Sequence, residues 1–373
     1  MSDNVAIYGI TGALGREVLA ALEVDHEGIG ALVPVAGPRS GGQSVRWRGA
    51  SLPVLGAGDV DPASVDVAIF ATPPDVVARE APRILHAGGR VIDASGVLAR
   101  AASPAPLVWP QLRTTAALDL GATTAVSLPG ALASSLAPLL EVLAAAHDVG
   151  SLPALASVDV VALVAASSAG RAGIDALSRQ TVGLLNYQSI VDAEPFPGVL
   201  AFDVLADPAA QSVVAEERLR AELATLLPRL GAQPSLVALW VPALSGQALT
   251  LTLGFGAAEG LAALVPILKA GLQAHPDLTL ATEDDAHDDA PREAAADGDA
   301  ADDDEAIEPA LDTRAALTMR AALDRDEVLV GPPTATPDGR AIRLVAFADP
   351  LRRTAVAAQR LVARILAELD ADA

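Results

Sequence analysis

The sequence predicts an α/β protein, an N-terminal doubly wound parallel sheet followed by a second α+β domain. Three observations carry that expectation. Residues 5–15 run from an apolar strand into the turn Gly9-Ile10-Thr11-Gly12-Ala13-Leu14-Gly15. Short apolar runs then alternate with helix-length segments as far as about residue 128, the pattern of a parallel sheet. Beyond that point, longer strand-like stretches are separated by irregular and helical segments. With 373 residues the chain is long enough for two domains, each with a sizeable core.

Taken in order, residues 5–8 read as a buried strand and residues 16–22 as the helix after the glycine turn. Glycines three apart let the backbone turn sharply, approach a pyrophosphate and pack helix against sheet. The phosphates then meet the free amides at the helix start. This predicts a Rossmann-type NAD(P)-binding domain over residues 1–128, in preference to a plain tight turn. Further strands are expected at 31–36, 65–71, 89–93, 107–109 and 124–127. The strand at 65–71 ends in Thr72-Pro73-Pro74, at the sheet edge that faces a cofactor. Residues 136–146 read as a helix. Strands at 157–165, 236–241 and 248–254 then form a second sheet that could carry a dimer interface. An amphipathic helix at 257–273, strands at 326–330 and 342–346, and a closing helix at 351–369 complete the pattern.

The formal charge is −22, but residues 283–308 alone hold 13 acids against one arginine. That segment is low in complexity and poor in apolar residues, so disorder is its expected state. A Ca²⁺ loop needs acids at alternating positions and a turn glycine. Asp297-Gly298-Asp299 only hints at one, so a solvated insert is expected and no metal. An acidic chain without clustered Lys and Arg argues against nucleic acid as a partner. No apolar run approaches the ~20 residues of a membrane span, and no cleavable leader is evident, so a cytoplasmic location is expected. Cysteine is absent, which removes every mechanism that needs a thiolate. The histidines, His26, His86, His147, His275 and His287, are expected at the surface or near helix ends.

The second strand ends in Gly37-Pro38-Arg39-Ser40-Gly41, without the acid that usually holds an NAD ribose. An arginine and a hydroxyl there suit a 2′-phosphate, which a carboxylate would repel. NADP is therefore expected over NAD, a solvated turn arginine being the bland alternative.

The glycine turn combined with Pro38-Arg39-Ser40-Gly41 resembles the aspartate-semialdehyde dehydrogenase family. Four more blocks are similar and fall in the same order: Gly89 to Ser95, Pro106 to Pro110, Ser167 to Leu177, and Asp349-Pro350-Leu351-Arg352-Arg353 with Gln359 downstream. The resemblance implies an NADP-binding domain and, over residues 129–348, a dimerisation domain like that of glyceraldehyde-3-phosphate dehydrogenase. It also implies that residues 349–373 return to the first domain. The family reaction interconverts aspartyl phosphate and aspartate semialdehyde through a cysteine acyl-enzyme, with a histidine as acid and base. Cofactor contacts are expected at Gly9, Thr11, Gly12, Ala13, Leu14, Gly15, Arg39, Ser40, Thr72, Ser95, Ser168, Ala169 and Gly170.

The family's cysteine follows a turn at a helix N-terminus, and the matching stretch Ser127-Leu128-Pro129-Gly130-Ala131 has Ala131 in its place. Gln247 stands for the histidine and Trp240 for the arginine that binds substrate carboxylate. Val164 and Gln111 replace a substrate-contacting glutamine and an acid, and Ala99 stands for another arginine, with Arg100 one place on. These coordinated losses, with Arg179-Gln180-Thr181 to Asn186, are similar to the Usg-type members of the family. The expectation is a homodimer that binds a dinucleotide but lacks the family chemistry. An oxidoreductase of altered chemistry and a purely structural or partner-binding scaffold remain as alternatives.

Overall fold

The computed structural model describes residues 3–40, 42–116, 118–120, 122–190, 192–206, 213–256, 261–281 and 317–372. The acidic segment 283–308 and His287 lie outside the described residues.

Two sheets organise the chain. The first is parallel and six-stranded, in the order β5-β2-β1-β6-β7-β8. Its strands are β1 (Asp3–Tyr8), β2 (Ile29–Ala36), β5 (Leu55–Gly56), β6 (Val67–Phe70), β7 (Arg90–Asp93) and β8 (Ala125–Ser127). A hairpin of β3 (Ser44–Trp47) and β4 (Ala50–Pro53) stands beside it. Val5, Ile7, Val67 and Ile69 pair across β1 and β6 and are fully buried. Burial on both faces of a parallel sheet requires such continuous apolar runs. Helices α1 (Ala13–Val24) and α2 (Pro74–His86) make crossovers between parallel strands, and the short α3 (Arg113–Ala116) precedes β8.

The second sheet is mixed and eight-stranded, in the order β10-β11-β9-β12-β16-β14-β13 with β15 paired to β16. These are β9 (Leu155–Val164), β10 (Leu205–Ala206), β11 (Pro234–Trp240), β12 (Gln247–Phe255), β13 (Leu278–Leu280), β14 (Val328–Val330), β15 (Thr334–Ala335) and β16 (Ala341–Ala348). On one face Val158, Val160 and Ala162 of β9 are buried, with Leu249, Leu251 and Leu253 of β12. Period-two alternation sends Val237, Val161, Thr250 and Val345 to the opposite face, in one row across four paired strands. The three valines of that row stay about 40–50% exposed. α4 (Ala131–Asp148) packs against α6 (Val213–Leu226), α7 (Val265–Ala274) and the closing α8 (Pro350–Asp372), and α8 also packs on α1. α5 (Gly170–Leu185) follows β9.

Several expectations need correction. Residues 107–109 form no strand, only a single parallel bridge from Leu107 to Ser127. Pro106 and Pro110 flank the segment and lack the amides a ladder uses. The helix expected over 257–273 is, in its described part, a 3₁₀ turn at Leu261–Leu264 followed by α7, which Pro266 opens near its first turn. His275 is the C-cap of α7, as a helix-end residue should be, but it is not at the surface: it is buried at the turn into β13, beneath α4. Its Nδ1 accepts the Asp277 amide at 3.1 Å, so the proton sits on Nε2, which donates to Glu141 Oε2 at 3.1 Å.

Arg353, in the first turn of α8, is fully buried. Its two terminal nitrogens fork onto the Asp277 carboxylate at 3.1 and 2.8 Å. They also donate to the carbonyls of Asp326 (2.7 Å) and Ser134 (3.1 Å), and the guanidinium lies 5.3 Å from the Trp109 ring centre. Trp109 Nε1 donates to the same Asp277 carboxylate at 3.1 Å. Removing one partner of a buried pair strands the other charge, at a cost of about 3–5 kcal/mol. Arg353→Ala is expected to lose about that much stability in urea unfolding; a loss below about 1 kcal/mol would show that Asp277 finds other partners.

Candidate functional site

The glycine turn builds the site from its backbone. Gly9 has φ +86°, and a Cβ there would come within 2.3 Å of the Ala71 carbonyl oxygen at the end of β6. A Cβ on Gly15 would lie 2.1 Å from the Gly9 carbonyl oxygen. No larger residue fits either place, because α1 and the two strands converge there. Gly12 precedes the first residue of α1, and its amide donates to the Gly9 carbonyl at 2.9 Å. No side chain caps that helix start, so its first amides keep their partial positive charge.

A cleft of about 1000 Å³ opens over this turn. Gly9, Thr11, Gly12, Ser40 and Thr72 all line it, a convergence that the chain makes from the segments after β1, β2 and β6. Thr11 and Ser40 hydroxyls meet at 2.9 Å, and Thr72 Oγ1 is buried with no partner. Glycines that keep the cradle open, a free helix start and an unpartnered hydroxyl fit a dinucleotide pyrophosphate. Arg39 sits in the 3₁₀ turn Pro38–Ser40 between β2 and β3; its side chain is outside what is described.

The other expected contacts lie elsewhere. Ala13, Leu14 and Gly15 open α1 without lining the cleft. Ser95 follows β7, where its hydroxyl donates to Asp93 Oδ1 at 2.6 Å. Asp93 also accepts the Ser95 and Leu98 amides and the Ser127 hydroxyl. Ser168 and Ala169 close a 3₁₀ turn after β9, and Gly170 starts α5 with φ +68°. That turn is tied to the loop before β12, the Ala166 and Ser167 amides donating to the carbonyls of Ala243 (2.9 Å) and Leu244 (3.0 Å).

Ala131 is the first residue of α4, directly after Gly130. The Gly130 amide there is taken by Glu222 Oε2 at 2.9 Å, from α6. Glu222 is buried, and its other oxygen accepts from Arg218 Nε at 2.8 Å with Arg100 Nη1 3.9 Å away. Arg218 also donates to the Ser95 carbonyl at 3.3 Å. Burial and the neighbouring Arg218 pull the Arg100 guanidinium down, against Glu222 and Asp93. The helix start thus holds an anion already, supplied by the chain itself. Sequence reasoning did not find this set: Arg218 and Glu222 have the spacing of a helix pair, but nothing local links them to Gly130, 92 residues away.

Gln247 opens β12, is buried, and leaves its Nε2 without a partner. An amide can donate a hydrogen bond to a carbonyl oxygen but does not exchange a proton near neutral pH.

At the far end of the cleft, α2 presents Arg79 and Glu80. Glu80 is buried, and burial pushes its carboxyl up, but hydrogen bonds from Arg79 and Arg83 outweigh this and hold it below the ordinary carboxylate range. Tyr8, stacked on Phe70 at 4.4 Å, is raised first by burial and then by the Glu80 charge.

A match to the semialdehyde dehydrogenase NAD-binding domain covers residues 4–119. The chain is 31% identical to a USG-1 protein homolog of Pseudomonas aeruginosa over 72% of its own length and 78% of the relative's. The structure of a probable aspartate-semialdehyde dehydrogenase from Pseudomonas aeruginosa superposes with a TM-score of 0.77 at 27% identity, covering 98% of this chain and 99% of that one. An aspartate semialdehyde dehydrogenase solved with NADP, from Candida albicans, shares the fold with a TM-score of 0.61 at 15% identity over 99% of both chains. The fold and cleft define a two-domain, dinucleotide-binding protein of the dehydrogenase type. More narrowly, the chain belongs to the Usg-type branch of the aspartate-semialdehyde dehydrogenase family.

A carboxyl held low in the folded state stabilises it above the unfolded value of about 4.3 and loses that contribution as pH falls through the folded value. The stability difference between wild type and Glu80→Gln is therefore expected to shrink between pH 7 and pH 3 in denaturant titrations. A difference that does not change with pH would contradict the pairing with Arg79 and Arg83.

Proposed function

We propose that this protein is an NADP-binding homodimer that has left the family's acyl-transfer chemistry behind. The family converts aspartyl phosphate to aspartate semialdehyde through a thiolate and a proton-exchanging base. The observation that carries the reading is the start of α4: Ala131 stands there, and the adjoining Gly130 amide is held by Glu222. With no cysteine in the sequence and an amide at Gln247, the family's thiolate and its histidine both lack a counterpart. The intact glycine cradle supports retained cofactor binding, and the turn with Arg39 and Ser40 in place of an acid supports the choice of NADP. In the family reaction a nicotinamide cofactor would exchange a hydride. What this chain contributes is the amide-lined turn for the pyrophosphate and, with Arg39 and Ser40, the 2′-phosphate contact. The proposal divides the chain at residue 128/129, with residues 349–373 returning to the first domain; packing of α8 on α1 supports that division.

Hydrogen bonds to charged groups contribute about 1.5–3 kcal/mol. Calorimetric titration is accordingly expected to show NADP binding tighter than NAD, with Arg39→Ala weakening NADP roughly ten- to hundredfold and NAD little. Equal affinity for both nucleotides, unaffected by Arg39→Ala, would overturn the NADP assignment. No binding of either would leave only a scaffold.

The exposed row Val237, Val161, Val345 supports the dimer, since these side chains share one face with nothing described above them. Light scattering is expected to give a dimer for wild type and a monomer for Val161→Glu, which places a charge in that row. A wild-type monomer would remove the dimer from the proposal.

A further inference from the structure

The end of the cleft farthest from the glycine turn has a construction that the pyrophosphate and the 2′-phosphate do not require. In a parallel sheet ordered β5-β2-β1-β6, a dinucleotide with its pyrophosphate over Gly9 and Gly12 and its ribose at the end of β2 sends its adenine toward β5 and α2. The walls there are apolar: Val35, Val54, Leu55 and Val76. Into this apolar place the chain puts a buried carboxylate, Glu80. A buried ion pair is weak evidence of a stabilising role, so its geometry needs another reason.

Glu80 uses its two oxygens separately. Oε1 accepts from Arg79 Nε at 2.8 Å and Oε2 from Arg83 Nη1 at 2.7 Å. Arg83 Nη1 also donates to the Ala57 carbonyl at 3.1 Å, joining α2 to the turn after β5 and fixing the width of the slot. Arg79 bonds only through Nε; among the described residues its terminal nitrogens have no partner, and its side chain remains 62% exposed. Asp59 also lines the cleft, so Arg79 and Arg83 stand with two carboxylates, Glu80 and Asp59. A planar cation, pinned at Nε and facing an apolar slot, has the form of a lid for a flat aromatic ring.

We propose that Arg79 covers the adenine ring of the bound nucleotide, held in place by Glu80 as a positioning residue, and that this contact secures adenine nucleotides irrespective of a 2′-phosphate. The inference rests on the cofactor reading above and adds to it a second determinant, separate from Arg39. A phosphate is the poorer occupant of this end, because it would lie among apolar walls close to the Glu80 carboxylate. A guanidinium over an aromatic face at an exposed site contributes modestly, on the order of a three- to fivefold change in affinity.

The test is calorimetric titration of NADP, NAD and AMP into wild type and into Arg79→Leu, Arg79→Lys and Glu80→Gln, with the thermal midpoint followed for each. Arg79→Leu is expected to weaken all three ligands by about the same three- to fivefold factor, with the NADP:NAD ratio unchanged. Arg79→Lys keeps the charge but not the plane, so it is expected not to restore affinity. Glu80→Gln is expected to weaken the same ligands in wild type and to have no further effect in Arg79→Leu. Loss of NADP affinity alone, rescued by Arg79→Lys, would mean a phosphate contact and overturn the proposal. Tight wild-type binding unaffected by Arg79→Leu would overturn it while leaving the cofactor reading intact. A wild type that binds no dinucleotide would overturn both.

Discussion

The buried pair between Arg353 and Asp277 holds the closing helix, the second sheet and the start of α4 to one another. A guanidinium taken wholly out of water is costly unless its donors are met, and here two carbonyls and a forked carboxylate take its terminal nitrogens beside the Trp109 face, leaving only Nε without a partner. Two of those partners fix what the site can do. The Ser134 carbonyl lies in the first turn of α4, so the pair helps set where that helix begins. Trp109 belongs to the loop before β8, so the first sheet is tied to the same point. Glu141 and His275 make a second buried contact along α4, one layer further on. The helix that begins at Ala131 is thus held both in its first turn and at its middle.

That combination explains how fold and chemistry can part. Cradle, sheet and closing helix depend on glycines, apolar runs and buried pairs, none of which needs the reactive groups. Once Ala131 replaces a thiol, a helix start with free amides still favours an anion. Glu222 meets that requirement from within the chain, and Arg218 and Arg100 balance its charge. The arrangement is satisfied without substrate, which is the opposite of what a catalytic site needs.

The legible parts of the sequence were those whose cause is local. Gly9 and Gly15 are required by contacts within the turn and with the next strand, and both sheets were readable from apolar runs and their alternation. The start of α4 at Ala131 and the buried arginine of α8 lie in stretches that resemble known relatives. What escaped notice depends on partners far away in sequence. His275 was legible as a helix-end residue, which it is, but nothing near it announces its burial against Glu141, 134 residues earlier. Nothing local around Arg79, Glu80 and Arg83 announces the turn after β5, which Arg83 reaches across 26 residues. The strand expected at 107–109 failed for a local reason, its two prolines, which the apolar pattern outweighed in the reading.

The central claim is that the cleft is kept and the chemistry is not. Its most direct test is the family reaction itself, run as NADPH formation from aspartate semialdehyde, phosphate and saturating NADP at high protein concentration. The account predicts a rate indistinguishable from a protein-free blank. Sustained turnover above that blank, retained through purification, would contradict it.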